Sequence, residues 1–187
     1  MSVNIFLALL PVILGWIFFV TKNRLMKIII GLCWLAFLPN SIYVFTDLIN
    51  LINQWSRVGP SVRLVFIFQY GVLLAIGFVT FILSMYPFEK FLKASKWVKD
   101  RGGVKRYLII LNFIIGFGIT LGRVQRVNSW EVVTAPLNVI NSGFKILFTP
   151  ELVLLTILFG LFSNLLYFLF RKKVIKYFST YSSQAGV

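Results

Sequence analysis

"LVFIFQYGVLLAIGFVTFILSMY", Leu64 to Tyr86, carries no charged residue along its whole length. A membrane crossing takes about 20 predominantly apolar residues, so this stretch reads as a transmembrane helix. Four further apolar segments accompany it, at 4–20, 28–45, 107–121 and 152–170. The last follows Thr149-Pro150-Glu151, a cap, a first-turn proline and an acid at the positive end of the helix dipole. Of the 187 residues, 59% are hydrophobic, with a mean hydropathy of +0.89. Soluble domains lie nearer about 45–50% apolar. The expected fold is all-α, a multi-pass membrane helical bundle of about five transmembrane helices, forming one membrane domain over 1–187.

Composition narrows the chemistry. There are 20 Phe and no His. The commonest general base, metal ligand and near-neutral proton switch are therefore missing. Cys33 is the single cysteine, so no internal disulfide and no zinc site of Cys and His can form. No cofactor and no metal are expected. The net charge is +14. No basic segment stands apart from the apolar spans, so the charge points to cytoplasmic helix ends and anionic lipid; nucleic acid is not expected as a partner.

Basic residues alternate along the connections. Lys22, Arg24 and Lys27 follow the first segment, and Arg57 and Arg63 the second. Seven lie between 90 and 106, three between 123 and 145, and four after 170. The first and third connections and the tail hold 14 of the 19. The positive-inside rule then places the N-terminus outside and the C-terminus in the cytoplasm. The first segment has no basic flank before it and no evident small-residue cleavage site, so it reads as a retained helix and not a signal peptide. Residues 88–101 read as a cytoplasmic amphipathic helix that lies on lipid and is ended by Gly102-Gly103. Within 123–149, "VVTAPLNVINSGFKILF" is a rival sixth span. Its proline, asparagines and lysine favour a re-entrant or interfacial segment.

Two polar motifs fall on the outer side of this topology. In "LPNSIYVFTDLINLINQW", Asn40, Tyr43, Asp47, Asn50 and Gln54 recur at helical spacing. After the fourth segment comes "GRVQRVNSWEVVTAP", with Arg123, Arg126, Asn128, Trp130 and Glu131. Pro39 frees a backbone carbonyl that needs a new partner. Gly118 and Gly122 form a GxxxG pair that lets a helix approach closely. If the fourth helix runs past Gly122, Arg123, Arg126 and Trp130 share a face. Two arginines can hold a phosphate or carboxylate in bidentate fashion. Asp47 or Glu131 can pair with them, act as a base, or bind a metal through oxygen. A structural ion-pair cluster, a ligand site and a catalytic site all remain open on spacing alone.

The two motifs resemble the signatures of a bacterial integral-membrane family, domain of unknown function 1361. The matching residues are Pro39, Asn40, Tyr43, Thr46 and Asp47, then Gly122, Arg123, Arg126, Asn128, Ser129 and Trp130. The resemblance departs at two positions: members of that family often have His where this chain has Asn50, and Asp where it has Glu131. The second change keeps the carboxylate, whereas the first removes an imidazole. The resemblance implies a multi-pass protein of the bacterial cell membrane and no particular reaction. The candidate ligand-binding set is Asn40, Tyr43, Asp47, Arg123, Arg126, Asn128, Trp130 and Glu131. Its expected partner, besides membrane lipids, is an anionic lipid or lipid-linked headgroup. Asp47 would orient an arginine, and Tyr43 and Trp130 would flank the ligand. The alternatives are a membrane enzyme acting on a lipid-linked substrate and a scaffold subunit whose polar cluster sets helix register.

Overall fold

The computed structural model describes residues 2–55, 59–95, 98 and 101–184. Within them the chain forms α1 (Ser2–Val20), α2 (Arg24–Phe37), α3 (Pro39–Thr46), α4 (Leu48–Trp55), α5 (Pro60–Ala94), α6 (Arg101–Arg123), α7 (Glu131–Thr134), α8 (Pro136–Leu147) and α9 (Pro150–Gln184). No strand occurs among the described residues. Four segments are long and apolar enough to cross a membrane: Arg24–Tyr43, Pro60–Ala94, Gly102–Arg123 and Pro150–Phe178. Ile5–Val20 of α1 is apolar but shorter.

The helices outrun the apolar windows that announce them, because charged residues extend a helix once its apolar part is packed. α5 continues through Pro87 to Ala94, so Phe88–Ala94 are its last turns and not the start of a separate surface helix. Arg101 begins α6, so Gly102 and Gly103 lie in its first turn and do not end a preceding helix. Residues 96, 97, 99 and 100, the rest of that expected amphipathic segment, lie outside the described residues. At 12 residues α8 is about 18 Å long, well short of a bilayer core of about 30 Å.

The helical run from Arg24 to Trp55 is interrupted twice. Asn23 caps α2, its side-chain oxygen accepting from the backbone amides of Leu25 (2.9 Å) and Met26 (3.2 Å). Leu38 closes the helix with its N–H on the Trp34 carbonyl at 2.9 Å. Pro39 has no N–H to continue the ladder, and α3 starts there. A second break falls at Asp47. The stripe from Asn40 to Gln54 is therefore not a single helical face.

The core runs through Trp34, Leu38, Ile42, Phe81, Met85, Leu108, Ile115, Ile119 and Tyr167. Trp34 donates its indole N–H to the Ser84 carbonyl (3.1 Å), joining α2 to α5. Apolar solvent gives helices no reason to associate, so small residues and hydrogen bonds must supply contact. α6 and α9 meet in this way. A Cβ on Gly116 would lie 2.6 Å from the Gly160 nitrogen and from the Thr156 carbonyl oxygen, so only glycine permits this approach. On either side of it, Asn112 donates to Asn164 and Thr156 to Thr120, each at 3.0 Å. Another face of α6 receives α3, where Gly118 abuts Pro39 and Gly122 abuts Tyr43.

Candidate functional site

The two polar motifs meet where α3 ends against the end of α6. Glycine at 122 lets the Tyr43 ring lie on α6, and the Tyr43 hydroxyl donates to the Gly122 carbonyl at 3.3 Å. Arg123, the last residue of α6, donates from one terminal nitrogen to the Thr46 carbonyl at 2.9 Å. Its other terminal nitrogen stands 3.5 Å from a carboxylate oxygen of Asp47. The guanidinium centre is 5.6 Å from the Tyr43 ring centroid. Three groups of one segment thus fix the direction of one arginine. The Asp47 side chain is only 10% exposed, against 25% for Arg123, so the pair is mostly shielded from solvent.

α6 stops at Arg123, so Arg126 and Trp130 do not continue its face as the helical extrapolation expected. Arg126 has φ +54, the left-handed region that costs a residue with a Cβ of order 1 kcal/mol. That turn brings the Val127 N–H back onto the Leu121 carbonyl (3.2 Å), satisfying an acceptor the helix end leaves over. The returning loop places Ser129 where Asn40 donates to its hydroxyl at 3.0 Å. Exposed Arg126 and half-buried Arg123 then line one polar cavity of about 510 Å³ with Tyr43, Gly122 and Asn128.

Glu131 has a different surrounding. One carboxylate oxygen accepts from both the backbone and the side-chain amide of Asn128, each at 2.9 Å. The other accepts from the Asn138 side chain, also at 2.9 Å. The Asn128 backbone donor, followed by the two side-chain donors, holds the Glu131 carboxyl below the usual glutamate range. It ties the loop to α7 and α8 and lines neither cavity described here. Of the other expected residues, Asn40, Tyr43, Asn128 and Trp130 line a second, larger cavity of about 570 Å³. Gln54 is exposed on α4, which packs against α5. The side chain of Asn50 lies outside the described residues. Among the described residues no three His, Cys, Asp or Glu gather where one metal ion could be held.

The model of the family described as "Protein of unknown function (DUF1361)" matches residues 3–166. The chain belongs to that family. The match takes in both motifs and every site residue above. No curated protein and no solved structure matches the chain.

A second ionic cluster lies toward the other end of α6, and the motif reading passed over it. Glu89 is buried near the end of α5. Tyr167 donates its hydroxyl to one Glu89 oxygen at 2.6 Å. Lys93 (2.7 Å) and Arg171 (3.0 Å) meet the other. The available signal was an acid with Lys four residues on, Glu89 and Lys93, a spacing that favours an ion pair on one helix. Nothing in the sequence announces the partners on α9.

Proposed function

We propose that this DUF1361 chain is an integral membrane protein of the bacterial cell membrane that recognises an anionic group, phosphate or carboxylate, of a lipid or lipid-linked molecule. The observation that carries the reading is Arg123. Asp47, the Thr46 carbonyl and the Tyr43 ring hold it in one direction, and it shares a cavity with Arg126. An arginine fixed before binding loses little side-chain freedom when an anion arrives. Five crossings, with α1 as the first and the 123–149 segment dipping in from outside, put this cavity at the outer face. The shortness of α8 and the concentration of lysines and arginines around the Glu89 end support that orientation. The enzyme reading is less well supported, since Asp47 pairs with Arg123 and Glu131 accepts three hydrogen bonds.

Native mass spectrometry of the gently purified protein tests the proposal beside an Arg123→Ala/Arg126→Ala variant of the same helical content. A defined anionic molecule on the first, lost from the second, is the expected result. Identical lipid profiles on both would overturn it and leave a cluster that only sets helix register.

A further inference from the structure

Resting on that reading, we infer that the larger cavity is the slot for the ligand's hydrocarbon tail, so that the molecule recognised is an anionic lipid entering sideways between α2–α3 and α6. The two cavities share Tyr43, Gly122 and Asn128. At the shared end the walls are polar, with Asn40 and Ser129 joined there by a hydrogen bond. Away from it the lining turns apolar, through Leu35, Ala36, Phe117 and Ile114 to Leu32. Ile114 precedes Arg123 by nine residues, so the slot descends about 13 Å along α6 from the guanidinium. Leu32 is 63% exposed and Ile114 45% exposed, which leaves the slot open to the side. The volume of about 570 Å³ falls within the range usual for small-molecule sites, about 300–1,000 Å³.

This gradient has one chemistry. A soluble anion would use the arginines and leave the apolar wall uncovered. A partner helix would cover the wall and make no use of a paired-arginine end. A lipid with an anionic head fills both, and each CH₂ removed from water or detergent adds to its affinity. Pro39 itself lines the slot, and its ring packs against Gly118 of α6.

The test uses dodecyl phosphate with a diazirine at the chain end, added to the full chain in phosphatidylcholine nanodiscs, with labelled peptides mapped by mass spectrometry. In the wild type the label should fall on 32–36 and 114–117. It should vanish in Arg123→Ala/Arg126→Ala. It should drop about tenfold in Ala36→Trp, which displaces two or so methylenes from the slot, while inorganic phosphate still competes for the head position in that variant. Arginine-dependent labelling that lands elsewhere, or that ignores Ala36→Trp, would overturn the tail slot and leave headgroup recognition standing. Labelling indifferent to the arginines would remove both. Cross-links from 32–36 to a second copy of the chain would replace the lipid by a subunit interface. The wild-type label map decides the point even if Ala36→Trp does not fold.

Discussion

Tyr167→Phe removes one oxygen and leaves the ring in its place. That oxygen donates to Glu89 at 2.6 Å, a length typical of a hydroxyl bonding to an ionised carboxylate. Such a bond contributes about 1.5–3 kcal/mol in soluble proteins, whereas interhelical bonds in membranes average about 0.6 and reach about 1.7. Tyr167 is fully buried and Glu89 nearly so, which favours the upper part of the membrane range. We expect a loss of about 1.5 kcal/mol, roughly a tenfold fall in the folding equilibrium constant. Glu89→Gln should cost more, about 2–4 kcal/mol. It removes the counter-charge that Arg171 and Lys93 share, but Lys93 is 59% exposed and less is lost than in an enclosed pair. The assay is reversible unfolding in mixed micelles, followed by tryptophan fluorescence. In a Glu89→Gln background, Tyr167→Phe should cost less than half as much. An equal cost in both backgrounds would refute the reasoning, because the hydroxyl would then be acting on something other than the carboxylate.

Gly116→Val should destabilise the protein by about 1–3 kcal/mol or more, while Gly71→Ala, inside α5 where a Cβ meets nothing within 4 Å, should not lower the melting temperature. Arg126→Gly should raise stability by up to about 1 kcal/mol by relieving a left-handed backbone, yet weaken anion binding; thermal shift and native mass spectra of one preparation report the two effects separately. The hydrogen bonds to Glu131 should persist at neutral pH and weaken only as pH falls through its lowered folded value, since a depressed carboxyl contributes above its unfolded range and is lost below the folded one. The Asn128 amide shift, followed by NMR, should report that titration, and Glu131→Gln should abolish it.

The helical class and the meeting of the two motifs were legible because both rest on local signals. Uncharged runs mark helices that need no water, whereas proline alone marks no end: α5 continues through Pro87, while α3 starts at Pro39. The expected alternation of crossings brought Asp47 to the arginine motif without choosing between Arg123 and Arg126; the structure pairs it with Arg123. The end of α6 was not legible, because nothing in "GRVQRVNSW" signals a stop at Arg123. The left-handed turn there falls on an arginine and not on a glycine. The expected roles of the glycines also divided. Gly118 and Gly122 do admit a neighbour, α3, but the backbone-to-backbone approach at Gly116 depends on Gly160, 44 residues away, and no local pattern links them. Glu131 looked like a partner for the arginines. Three nearby amide donors claim it instead, and that competition only emerges once the loop is folded back.

The glycine contact between α6 and α9 has a consequence for assembly. It joins elements from the second half of the chain, with two short helices between them, and asparagine and threonine bonds reinforce it. In a bilayer, where helices form before they pair, this couple is the best equipped to associate early. α3 then has to find the remaining face of α6, with Pro39 against Gly118 and Tyr43 against Gly122. That docking is what brings Asp47 to Arg123. A half-assembled chain therefore carries loose arginines and no oriented site, so ligand binding would report on the completeness of the fold itself.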